Sequence, residues 1–148
     1  MSSLDRAGAR QRFCVARVAV LGTVTEAGQP HLVPVTFVLA DDVVAFAVDH
    51  KPKSTTNLRR LANISRCPDV SFLVDEYADD WSLLWWVRVD AVAEILTSGT
   101  RHQRLLDALA EKYPQYRTTR PTGPVVAAQV SSIVGWSASK ALERPSLG

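Results

Sequence analysis

The sequence predicts a mainly β, α+β fold in which six antiparallel strands close into a barrel with short helices on its periphery. Three observations carry this expectation. Six short segments show either period-two alternation or a brief continuous apolar run. Turn-forming residues separate most of them. The helical stretches do not alternate with the strands in the regular βαβ order that a doubly wound parallel sheet requires. At 148 residues, with 47% hydrophobic and 22% charged side chains, the chain has ordinary globular composition and reads as a single domain over 1–148.

Taken in order, Leu4, Ala7 and Phe13 among charged neighbours give a weakly amphipathic opening helix over 4–15. Val18, Val20 and Val24 at even spacing mark a strand over 17–25, and Glu26-Ala27-Gly28-Gln29-Pro30 supplies the turn of a hairpin. Val33, Val35, Phe37 and Leu39 continue at period two over 31–39, where Pro34 removes one ladder donor and so points to an edge strand or a bulge. Asp41-Asp42 turns the chain into the apolar run 43–48, the pattern of a strand buried on both faces. A short helix follows around 57–64, with Ser54 or Thr55 as its N-cap. The fourth strand covers 70–74, a loop 75–81, and a long fifth strand 83–96. The helix over 98–113 puts Leu105, Leu106, Leu109 and Tyr113 on one side and ends at Pro114. A loop over 115–124 precedes the last strand, 125–136.

Composition narrows function. A net charge of +2 gives no electrostatic footprint for nucleic acid. No apolar run approaches the length of about 20 residues that spans a membrane, and the polar N-terminus lacks a signal peptide's apolar stretch, so a cytoplasmic protein is expected. Cys14, Cys67, His31, His50 and His102 are dispersed, so neither a disulfide nor a metal site is expected. No Ser/His/Asp arrangement, carboxylate pair or glycine-rich phosphate loop stands out, and no residue is assigned as catalytic. In an enzyme of this kind a cofactor carries the chemistry.

Two segments can hold such a cofactor. In Lys51-Pro52-Lys53-Ser54-Thr55, two ammonium groups and two hydroxyls meet a helix N-terminus, a combination that binds phosphate; the alternative is a solvated turn that caps the helix. In 80–88, Trp81, Trp85 and Trp86 either wall a ligand or subunit interface or form a core aromatic cluster.

The succession Gly28-Gln29-Pro30-His31-Leu32-Val33-Pro34-Val35-Thr36-Phe37, then Lys51-Pro52-Lys53-Ser54 before Asn57-Leu58-Arg59-Arg60, then Asp80-Trp81 and Trp85-Trp86-Val87-Arg88, resembles the pyridoxamine-phosphate-oxidase-like split-barrel superfamily. Within it, the chain looks like the flavin/deazaflavin oxidoreductase branch, the coenzyme F420-dependent enzymes of actinobacteria. The resemblance implies a split β-barrel of the FMN-binding type and a homodimer with cofactor sites at the subunit interface. It implies a hydride transfer between the deazaflavin F420 and a small unsaturated substrate, with an FMN-dependent oxidase or reductase, or a non-enzymatic cofactor-binding protein, as alternatives. By carry-over, Val35 and Thr36 contact the ring system, Lys51, Pro52, Lys53, Ser54 and Thr55 form the phosphate segment, and Trp81, Trp85 and Trp86 wall the pocket. The anionic glutamyl tail of F420 suits a groove with Lys51, Lys53, Arg59 and Arg60 near its mouth. Two departures stand out: relatives place an Arg and a Lys two residues apart and closer to the Asn-Leu-Arg-Arg run, and often have Gly where this chain has Ala91.

Overall fold

The computed structural model describes residues 2–48 and 55–139, with the backbone alone for 55–58. The elements are β1 (Ser2–Ser3), α1 (Arg6–Val15), β2 (Ala19–Val24), β3 (Pro30–Val35), β4 (Val38–Ala40), β5 (Val43–Ala47), α2 (Thr55–Arg66), β6 (Asp69–Glu76), β7 (Trp85–Leu96), α3 (Thr100–Lys112), α4 (Pro114–Thr118) and β8 (Val125–Ser137), with a 3₁₀ turn at Trp81–Leu83. Hydrogen-bonded neighbours follow the order β3-β2-β6-β7-β8-β5-β4, every pair antiparallel, and β1 adds to β8.

The sheet has eight strands, not the six expected from the sequence. Ser2–Ser3 is too short to carry a pattern, and it pairs with the far end of β8 at Trp136 and Ser137. The expected strand 31–39 divides into β3 and β4, which lie at opposite ends of the pairing order. Only Thr36 and Phe37 join them. The two ends of the sheet therefore meet through the chain itself, without a ladder between them among the described residues, and this is the seam of the split barrel. Pro34 sits on an end strand, where its missing donor is tolerated.

Local chemistry explains most boundaries. Asp5 caps α1 by accepting the Gly8 N–H at 2.7 Å. Gly28 takes φ 81° in the β2–β3 turn, a conformation available to glycine at little cost. Asp80 accepts from the Ser82 N–H at 3.0 Å, holding Trp81–Leu83 in the 3₁₀ turn, so β7 begins at Trp85, two residues later than expected. Pro114 does end α3, but the expected loop also contains α4, which Pro114 opens: at a first helical position the absent N–H has no intrahelical partner to lose.

Four phenylalanines fill the barrel. Phe13 of α1, Phe37 of the seam, Phe46 of β5 and Phe72 of β6 are all fully buried. The Phe13 ring centroid lies 4.6 Å from Phe37 and 6.3 Å from Phe72, and Phe46 lies 6.1 Å from Phe72. Helix α1 thus plugs the barrel. On the outside, Leu105 and Leu106 of α3 pack against Ala45, Val125 and Ala127. Strands β5 and β8 are covered on both faces there, which accounts for their unbroken apolar runs. A bulge between Asp90 and Ala91 shifts the β7–β8 register. No described helix is long and apolar enough to cross a membrane.

Candidate functional site

The seam residues Thr36 and Phe37 lie outside both flanking ladders, so their polar groups must find partners elsewhere. The C-terminal end of α3 and helix α4 provide them. The Tyr113 hydroxyl accepts the Phe37 N–H at 3.1 Å and lies 3.0 Å from the Phe37 carbonyl and 2.9 Å from that of Arg17. Its single hydrogen serves one of these two carbonyls at a time. Lys112 Nζ donates to the Phe37 carbonyl at 2.9 Å and the Ala16 carbonyl at 2.7 Å, and stands 4.0 Å from the Phe37 ring centroid. Desolvation pulls the Lys112 pKa down to about 8, against the pull of the nearby Cys14 thiol and with the help of the Arg17 charge. Burial also raises the Tyr113 phenol above its ordinary value.

Beside this clasp, Thr36 Oγ1 and the Tyr116 hydroxyl are 2.8 Å apart, in hydrogen-bond contact. The Tyr116 ring meets Tyr113 edge-on at 5.7 Å. Tyr116 also lines a cleft of about 410 Å³ with Ala47, Gln115, Thr119, Arg120, Pro121 and Thr122. Ala47 is the last residue of β5, four positions before Lys51, where the predicted phosphate segment begins. Arg60 of α2 is nine-tenths buried, with its guanidinium 5.9 Å from the Phe46 ring centroid. Burial lowers its pKa and the Tyr116 phenol opposes that shift, which places a buried cation in electrostatic reach of the cleft wall. The loop over 119–124 is tied to α3, since Arg120 reaches Asp107 at 2.6 Å and His102 Nε2 lies 3.0 Å from the Gly123 carbonyl. Among the described residues no group of three His, Cys, Asp or Glu side chains is placed to hold a metal.

Of the residues singled out from the sequence, Val35 ends β3 facing the core and Thr36 stands at the cleft. Lys51, Pro52, Lys53 and Ser54 lie outside the described residues. Thr55 begins α2, and its side chain lies outside them too. Within one chain the tryptophans do not join Thr36. Trp85 and Trp86 are consecutive on β7 and point to opposite faces. Trp85 packs on the core and donates its indole N–H to Glu76 at 2.9 Å. Trp86 lines an open groove on the sheet's outer face with Leu73, Asp75, Tyr77 and Arg88. Three strand spacings, roughly 14 Å along the sheet, separate β7 from β3. Trp81 is 75% exposed.

Sequence reasoning missed Lys112 and Tyr116 altogether, and placed Tyr113 on the apolar side of its helix without a polar role. The one available signal was the pair of phenols three residues apart astride Pro114, a spacing that keeps both on one side of a continuing helical path.

An antiparallel barrel plugged by a helix, split at a two-residue seam and flanked there by a cleft, defines the split-barrel class. The chain belongs to the pyridoxamine 5'-phosphate oxidase family, whose model matches residues 9–135. No curated protein matches it significantly. Among solved structures, it is similar to the conserved hypothetical protein Rv2991 of Mycobacterium tuberculosis (TM-score 0.74, 23% identity, covering 100% of this chain and 91% of that one). It is also similar to an FAD-binding protein of Mesorhizobium loti (TM-score 0.72, 18% identity, 90% and 93% covered). A third is the heme storage protein HutZ of Vibrio cholerae (TM-score 0.65, 16% identity, 89% and 90% covered).

Proposed function

We propose that this chain binds a flavin-type cofactor beside the Thr36 seam and works as an oxidoreductase, with coenzyme F420 as the cofactor and a small unsaturated molecule as substrate. The observation that carries the reading is the cleft at the seam of a barrel of this family. Ala47 at the end of β5, Pro121 and Tyr116 line it, Thr36 adjoins it through its hydroxyl contact with Tyr116, and the buried cation Arg60 feels the charge of the Tyr116 phenol. These groups fit a flat ring system carrying an anionic arm: the apolar residues offer a surface to the ring, the hydroxyls orient its polar edge, and the guanidinium favours the anion. A deazaflavin, when bound, supplies hydride chemistry, because carbon replaces the nitrogen at which a flavin also exchanges single electrons. Lys51, Pro52, Lys53, Ser54 and Thr55 form the phosphate segment in this reading, three residues beyond the end of β5.

The chain is further proposed to be one cytoplasmic domain and to work as a homodimer. The outer face of β2, β6, β7 and β8 supports the dimer, since Val20, Leu73, Arg88 and Val134 fall on one row across the sheet. Val20, Leu73 and Val134 are exposed there, beside the Trp86 groove. In the dimer the tryptophans serve the subunit interface.

FMN is the second cofactor reading, favoured by the FAD-binding relative of Mesorhizobium loti. A cofactor-binding protein without its own reaction is the third, favoured by the storage role of HutZ. Titration of the purified chain with F420 and with FMN at fixed low salt, followed by fluorescence, separates them. Saturable F420 binding with weak FMN binding is expected, and Lys53→Ala should cost about 1–3 kcal/mol of it. The opposite preference moves the protein to the flavin reading. Tight F420 binding whose reduced form no candidate oxidant consumes moves it to the binding-protein reading.

A further inference from the structure

We infer that Tyr116 is a positioning residue that holds the Thr36 hydroxyl as a hydrogen-bond donor for a ring carbonyl of the bound cofactor. This rests on the reading of the Thr36 seam as the cofactor's seat.

The seam has no ladder of its own to fix it. Its backbone is held by side chains from one short stretch, with Tyr113 on both the N–H and the carbonyl of Phe37 and Lys112 on that same carbonyl. Phe37 is fully buried and locked among the barrel rings. With the following residue held on three sides, the Thr36 backbone has little freedom, and the one remaining variable is the direction of its hydroxyl. Tyr116 sets it through the 2.8 Å contact.

Proton counting shows what this contact makes available. Two hydroxyls carry two hydrogens, and their mutual bond uses one. If Tyr116 donates, the Thr36 hydrogen is left over; if Thr36 donates, the Tyr116 hydrogen is left over. The phenol is the more acidic of the two and the better donor, which leaves the Thr36 hydrogen available beside a cleft that Tyr116 itself lines. The ligand group that such a donor recognises is an acceptor, and the polar edge of a flavin or deazaflavin ring presents carbonyl oxygens. Tyr116 stands two residues into α4, a helix that Pro114 opens and that leads into a loop tied to α3 at Arg120 and at the Gly123 carbonyl. The phenol is therefore carried on a braced element rather than a free loop.

The test titrates F420 and FMN into the wild-type chain and into Tyr116→Phe, Thr36→Val, Thr36→Ser and the double variant Tyr116→Phe/Thr36→Val, reading affinity, the absorption band of the bound cofactor and the melting temperature of each apo-protein. Expected is a loss of roughly 5- to 10-fold in affinity for Tyr116→Phe and for Thr36→Val, each with a shifted band. Thr36→Ser should bind as the wild type does, and the double variant should lose little more than either single one, because both remove the same donor pair. A purely structural phenol would change the melting temperature and leave the band in place. If Thr36→Val weakens binding while Tyr116→Phe matches the wild type in affinity and band, the positioning role is overturned and the seat stands. If both variants match the wild type, the seat itself is misplaced and the inference falls with it. Failure of the wild-type chain to bind either cofactor overturns the functional reading and this inference together.

Discussion

Lys112 pays for its position. Its ammonium satisfies two carbonyls that no ladder reaches, and the surrounding protein penalises the charge it needs to do so. The consequence for stability has a definite sign. The folded-state pKa, about 8, lies below the ordinary value of 10.5, so the fold carries an electrostatic cost that is complete below pH 8 and is relieved as pH rises toward 10.5. Stability should therefore climb between these values. Tyr113, held above its ordinary 10.0, loses its proton only later and does not mask the effect. Thermal melts of the wild type from pH 7.5 to 9.5 should show a rising contribution that Lys112→Met lacks; parallel pH profiles for the two proteins would refute the assignment.

At the scale of elements, the tightest join is between β7, β8 and the start of the chain. Gly135 of β8 donates no side chain where one would have to go: a Cβ there would stand 2.9 Å from Leu4 Cδ1 and 3.1 Å from both the Trp86 carbonyl and Val87 Cγ2. Leu4 also donates its N–H to the Gly135 carbonyl at 3.0 Å. Gly135→Ala must push apart the segment leading into α1 and the β7 backbone together, and a loss of about 1–3 kcal/mol is expected in urea unfolding. An unchanged midpoint would show that Leu4 simply turns aside. The same scale explains why the amphipathic α3 and the doubly covered β5 were readable in advance, since each answers to neighbours on known faces. Helix α4 was not, because proline serves equally as a terminator and as a first residue, and nothing local distinguishes the two.

For the whole molecule, the outer sheet face is the feature that the isolated chain leaves unexplained. A homodimer through the row of Val20, Leu73 and Val134 predicts that Leu73→Lys, a change at a 37% exposed position, yields a monomer with an unaltered fold. Sedimentation velocity decides this. A wild-type chain that sediments as a monomer at micromolar concentration overturns the dimer, and a Leu73→Lys chain that remains dimeric moves the interface elsewhere.

The division between what was legible and what was not follows from the range of the forces concerned. Period-two alternation, the turn at Gly28, the cap-and-face pattern of the helices and the runs buried on both sides are short-range properties, and they sufficed for a mainly β barrel of antiparallel strands. They could not show the seam. Val35, Phe37 and Leu39 are all buried, so the alternation passes through the corner without a break, while the pairing partner changes from β2 to β5. Alternation reports which face a side chain takes, and it is silent about which strand lies alongside. The candidate site depends on that silent variable: Thr36, Ala47 and Tyr116 come from three separate stretches of chain, and only the closure of the barrel brings Tyr116 against Thr36 and beside Ala47. The hydroxyl contact between Thr36 and Tyr116, 80 residues apart, exists because tertiary packing holds α3 and α4 against the seam.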